Sequence, residues 1–247
     1  VILIPGDAAW PSGLDDLGEQ APYVLWTRGA QSISATTSLS DRAALTGARA
    51  ASQYGTHVAA DLARDLAERE RVVVTGGAHG IEAAALRGAL SAGGHTIAVQ
   101  PSGLDRPYPH GNRELLEGVK DRGLLISELP PRAQPTRQRM VARGRLLAAL
   151  SGATVVVEAA ARSGAIATAQ SARSLGRQVG AVPGPVTSIT SAGPHRLLAE
   201  GAAKVITGGE EITRLLDTGK TPGPDRELAP PAATRTGPSP SGSGLSL

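Results

Sequence analysis

Three short stretches place glycine, a small hydroxyl residue and often a cation where the chain leaves an apolar run and enters a helical pattern. The first is Gly47-Ala48-Arg49-Ala50-Ala51-Ser52, followed by Tyr54-Gly55. The second is Thr75-Gly76-Gly77-Ala78-His79-Gly80-Ile81-Glu82, and the third runs from Glu158 through Arg162-Ser163-Gly164 to Thr168. Their shared chemistry is anion binding. Glycine permits a sharp exit from a strand and close approach to the backbone. Ser52 and Ser163 are N-cap types. The N–H groups and dipole of a helix start favour negative charge, and Arg49 adds a full positive charge there. Each turn read alone is also served by a plainer account: a surface arginine on an ordinary turn, or capping only.

A fourth feature is a one-sign segment. Between Glu128 and Glu158 there is no acidic residue, but there are Arg132, Arg137, Arg139, Arg143 and Arg145. Such a patch attracts phosphate. Arg139 and Arg143, four apart, are expected on one helix face. If the helix starts gather at one rim beside this segment, they form a groove for a phosphodiester strand rather than a site for one phosphate.

Other chemistries find less support. The 247 residues include no cysteine, which excludes disulfides, thiol nucleophiles and cysteine metal sites. The glycine loop is neither GxGxxG nor GxxxxGK[ST]. His57, His79, His95, His110 and His195 lack metal-ligand spacing, so no metal and no cofactor are expected. Glu82, Asp105, Glu128 and Glu158 either form a carboxylate set at strand ends or cap helices and orient arginines. Apart from Lys120, Lys204 and Lys220, the 25 basic residues are arginines, and the net charge is +3. Genomic base composition explains that arginine bias equally well. No apolar run approaches the roughly 20 residues that span a bilayer. Val1–Pro5 lacks the basic region and cleavage site of a signal peptide, and the chain, which starts with Val, reads as a fragment.

The elements that must position these turns alternate. Strands are expected at Ala43–Thr46, Val72–Thr75, Thr96–Val99, Leu124–Ser127, Thr154–Val157 and Gln178–Val182. Helices are expected at Ser52–Arg69, Ile81–Ala92, Asn112–Asp121, Gln138–Leu150 and Ala165–Leu175, with short ones at Leu197–Glu200 and Glu210–Leu216. Short apolar strands between amphipathic helices indicate a Rossmann-like α/β fold: a mostly parallel sheet with helices on both faces. Ligands of such sheets bind beyond the carboxyl ends of the strands. Residues 1–41 read as a lead-in or the remnant of an upstream domain, 42–218 as the Rossmann-like domain, and the Pro/Gly/Ser-rich 219–247 as a disordered tail.

The ordered motifs resemble the DprA/Smf family. Gly47-Ala48-Arg49 with Ser52 and Tyr54-Gly55 is similar to the family's G-S-R-x-x-S-x-Y-G turn, and Thr75–Glu82 to its S-G-x-A-x-G-I-D. The match continues through Gly103-Leu104-Asp105, Tyr108-Pro109 with Asn112, Ser127-Glu128, Arg143-Gly144-Arg145, Ser163-Gly164 and Pro183-Gly184, covering roughly 10–215. The resemblance implies a cytoplasmic, non-enzymatic, homodimeric protein of natural transformation that binds and protects single-stranded DNA and loads the RecA recombinase on it. By position it implies phosphate contact at Arg49, with Arg137 as the basic residue three before the family's aromatic. It implies backbone donors at Gly76, Gly77, Gly80, Ser163 and Gly164, and helix-start hydrogen bonding or phosphate contact at His79. Ser52 and the cations Arg139, Arg143 and Arg145 complete the expected DNA-binding set.

This chain departs from the family pattern in the groove itself. Met140 stands where the aromatic is usual, Gly144 replaces the asparagine of R-N-R, Glu82 the aspartate, Leu86 a histidine and Ala48 a serine. There is no phenylalanine. Base stacking normally contributes about 1–3 kcal/mol per base, so affinity here is expected to lean on phosphate contacts. A nucleotide-binding sensor and a nucleotide hydrolase akin to the LOG group are the other readings of the same pocket, although the P-G-G-x-G-T-x-x-E string of the latter is absent.

Overall fold

The computed structural model describes residues 1–30, 32 and 38–218. The segment 219–247, expected to be a tail, lies outside the described residues. Among the described residues nine strands form one sheet in the order β1-β2-β6-β5-β4-β3-β7-β8-β9. They are β1 (Ile2–Leu3), β2 (Leu25–Gly29), β3 (Arg42–Thr46), β4 (Val72–Thr75), β5 (Thr96–Val99), β6 (Leu124–Ser127), β7 (Ala153–Val156), β8 (Gln178–Ala181) and β9 (Lys204–Val205). From β6 to β9 all neighbours run parallel, and β1 and β2 are antiparallel.

Among the described residues eight α-helices cover the sheet: α1 (Gln53–Glu68), α2 (Ile81–Ser91), α3 (Arg113–Arg122), α4 (Arg137–Ala142), α5 (Gly144–Ala149), α6 (Gly164–Ser174), α7 (Ala192–Ala199) and α8 (Gly209–Thr218). Strands β3 to β7 are buried on both faces, which is why they appear in the sequence as unbroken apolar runs rather than alternating ones. On one face Leu45, Val73 and Val155 meet Leu62 and Leu66 of α1, Ala85 of α2 and Ile212 of α8. On the other, Val72, Val74 and Val99 meet Leu146 and Leu147 of α5, and Val156 meets Ile166 and Ala169 of α6.

The expected strands and helices are present with shifts at their ends. Two departures have physical causes. Residues 1–29, read as a lead-in, supply β1 and β2 to the same sheet. Trp26 pairs with Ser127 and Gly29 with Leu124, while Leu3, Trp10, Leu14 and Leu25 fill the core over α5. A two-residue strand and a five-residue one among prolines carry too little periodicity to announce themselves. The expected helix Gln138–Leu150 is interrupted at Arg143, whose side chain turns inward.

Candidate nucleic-acid interface

Sheet order reverses at β3. Strands β4, β5 and β6 build outward on one side of it, and β7, β8 and β9 on the other. The loops leaving β3 and β7 therefore part company and open a crevice, the usual ligand position of an open α/β sheet. All three turns singled out in the sequence reach it, the second only through Ala78 and Glu82. A cavity of about 400 Å³ is lined by Gly47, Ala48 and Arg49 after β3, and by Ser163, Gly164 and Ala165 at the start of α6. Arg137, Met140, Val141 and Arg143 from the α4 region close its third side.

The cations divide into two kinds. Arg49 and Arg137 are exposed on the cavity wall, and neither is paired with a carboxylate among the described residues. Arg49 Nη2 donates to Met140 Sδ at 3.0 Å, a soft contact that positions the guanidinium without neutralising it. Arg143, expected to contact phosphate, is instead structural. It is 6 % exposed, donates from Nη2 to Glu82 Oε2 at 2.9 Å, and donates from Nη1 to the carbonyls of Gly76 and Val99. Glu82 is the acid of the cavity lining, and Arg143 balances its charge, so the surplus positive charge at the rim comes from Arg49 and Arg137.

The glycine loop also works inward. Gly77 N donates to Thr75 Oγ1, Ala78 N to Glu82 Oε2 and Ile81 N to Ala48 O. Three N–H groups of the loop and the α2 start are thus taken by the protein's own acceptors. Gly77 sits at φ +70 and Gly80 at φ +74, so the loop needs glycine for its turn. Gly76 leaves the space the Arg143 guanidinium fills: a Cβ there would lie 2.1 Å from Cζ. This corrects the reading of Gly77 as a phosphate donor, since its N–H is taken by Thr75.

Ser52 caps α1, accepting from Gly55 N at 3.0 Å and donating from Oγ to Glu158 Oε1 at 2.6 Å. Glu158 also accepts from Ser52 N and Thr190 Oγ1, so it braces the Arg49 turn rather than acting on a ligand. Ser163 differs. It caps α6 without a side-chain hydrogen bond, and its buried Oγ has no partner among the described residues. Ile166 N already donates to Ser163 O, so the N–H groups of Gly164 and Ala165 are what this start offers an anion.

Arg139 and Arg145 do not line the cavity. Arg139 donates to Gln134 O on the outer side of α4. Arg145 binds both oxygens of Glu128 and the carbonyl of Gln20, at a separate depression beside Pro22 and Tyr23. The expected Arg139–Arg143 face does not form, because Arg143 points into the core. His79 is exposed in a narrow side cleft shared with Arg49, Tyr108 and Met140. Thr168, where the third turn ends, lines the cavity, and so does Val141, to which sequence reasoning gave no part. Among the described residues no His, Asp or Glu cluster could hold a metal ion, and no helix is long and apolar enough to cross a membrane.

Gly144 is explained by this packing. A Cβ would stand 2.6 Å from Thr168 Oγ1, which donates to Gly164 O, so α5 approaches α6 only because the residue is glycine. Gly144→Ala is expected to destabilise by about 1–3 kcal/mol through overpacking, even though alanine is the better helix former. Urea unfolding checks this, and a more stable variant would show that the two helices separate freely.

Comparison with known proteins follows the same lines. The family model for DNA recombination-mediator protein A matches residues 1–217. A Mycobacterium tuberculosis relative, provisionally named DNA processing protein DprA, is 46% identical over 225 residues, covering 87% of this chain. The chain spans 57% of that relative's length. The crystal structure of DNA processing protein A from Streptococcus pneumoniae is 34% identical, with a TM-score of 0.79 over 87% of this chain and 73% of that one. A Helicobacter pylori DNA processing protein A, whose structure describes single-stranded DNA binding, is 28% identical, with a TM-score of 0.75 over 88% of this chain and 96% of that one.

Proposed function

The chain belongs to the DNA recombination-mediator protein A family, and from that premise we propose that it holds single-stranded DNA in the crevice between the loops of β3 and β7. The observation that carries this reading is the uncompensated pair Arg49 and Arg137 on one cavity, facing an α6 start that carries an unpartnered serine hydroxyl. Two unneutralised guanidinium groups beside an open helix start suit consecutive phosphates better than one. The unpaired cations supply affinity without sequence preference. The role extends, by relationship, to protecting incoming DNA in natural transformation and loading RecA on it, as a cytoplasmic homodimer. The protein acts by binding: the cavity's acid, Glu82, is engaged with Arg143, and Glu158 braces a turn.

Titration of labelled oligo-dT at two salt concentrations tests this. Affinity is expected to fall steeply as salt rises, with log K against log[salt] sloping by about −0.7 per neutralised phosphate on a single strand, while mononucleotides compete poorly. Saturable mononucleotide binding without turnover would replace this reading with a nucleotide sensor. Release of free base from a nucleoside monophosphate would make the protein a hydrolase.

A further inference from the structure

The loop after β5 is fastened to the glycine loop by two buried amides. Gln100 Oε1 accepts from Tyr108 N at 2.8 Å, and Gln100 Nε2 donates to Gly76 O at 3.3 Å. Asn112 Nδ2 donates to Gly77 O at 2.9 Å. Both amides are buried, so the hydrogen bonds they make fix the loop relative to the groove floor. The loop therefore presents Tyr108 at a set position. The tyrosine lines the side cleft with His79, Arg49 and Met140, and the last two also line the main cavity, so cleft and cavity adjoin.

We propose that Tyr108 is a stacking surface for a base of the strand whose phosphates lie along Arg49 and Arg137. This rests on the single-strand reading above and adds the element that reading lacks, since Met140 offers no ring. The cleft encloses only about 20 Å³, too little for a base, so the base lies across its rim against the ring. Tyr108 is half-buried, with His110 edge-on at 6.1 Å between centroids and 78° between planes, which steadies the ring while leaving area open. His79 stands opposite, close enough to Gly111 that a Cβ there would meet its Cε1 at 2.9 Å. The other aromatics are placed elsewhere. Trp10 and Trp26 pack in the cores, Tyr54 donates its hydroxyl to Pro183 O, and Tyr23 lines the depression at Arg145. Stacking is tolerant of base identity because every base has a π-face, in keeping with a groove that makes its other contacts to phosphate.

The test compares oligo-dT with an abasic strand of equal length by fluorescence anisotropy. The unsubstituted protein is expected to prefer oligo-dT about tenfold, the scale of one stacked base. Tyr108→Phe keeps that preference. Tyr108→Ala and Tyr108→Leu bring it close to one while leaving the salt slope unchanged, and thermal melts identify which variants are folded. Equal preference in the unsubstituted protein and a folded Tyr108→Leu, or no preference in the unsubstituted protein, overturns the stacking role alone. Failure of the unsubstituted protein to bind oligo-dT at all overturns the single-strand reading beneath it.

Discussion

Arg49→Ala and Arg137→Ala are each expected to weaken oligo-dT binding about tenfold, as removal of a charge-assisted hydrogen bond does, and each to flatten the salt slope by about 0.7. Both residues are exposed and neither is paired with a carboxylate among the described residues, so their removal leaves no stranded acid and folding should be little changed. The combined variant is expected to lose less than the product of the single losses, because both side chains line one cavity and grip one strand. Arg145→Ala is the contrast: its guanidinium is bound to Glu128 and Gln20, so its slope should stay as it is. Anisotropy across a salt series reads all four. An unchanged slope in both Arg49→Ala and Arg137→Ala would place the strand elsewhere.

The second large effect is on stability. Arg143→Ala is expected to destabilise by about 3–5 kcal/mol, the range for breaking a buried pair from one side. Glu82, 5 % exposed, would keep only Thr46 Oγ1 and Ala78 N as donors to its charge. The carbonyl of Gly76 would lose its Arg143 donor, and that of Val99 one of its contacts. Arg143→Met combined with Glu82→Gln is expected to recover part of the loss, since the second change removes the stranded charge. Urea unfolding measures this. A loss under about 1 kcal/mol for Arg143→Ala would show that the pair is not what holds the glycine loop against α4.

These two outcomes separate arginines that the sequence presents as alike. Arg137, Arg139, Arg143 and Arg145 share one acid-free segment, and charge spacing cannot say which one turns inward. That depends on a buried acid, Glu82, 61 positions before Arg143, and on the space left by Gly76. The strand-to-helix turns were legible because glycine and serine at strand ends report local geometry. Whether the loop amides face a ligand or the protein was not legible, since it depends on side chains such as Thr75 and Glu82 folding back. The parallel strands from β3 to β8 were visible as compact apolar runs buried on both faces. β1, β2 and β9 were not, because two or five residues carry almost no period of their own.

Those inconspicuous strands have a consequence for how the protein keeps to itself. Beyond β6 the sheet is closed by β2 and then by a two-residue β1; at the far side it ends in the two residues Lys204–Val205. A long bare margin presents a row of unsatisfied N–H and C=O groups on which a foreign chain can template, and natural proteins blunt it with brevity and with lysine. The Lys204–Val205 margin is of that kind among the described residues, short and bearing a lysine, so it gives a foreign chain little to pair with.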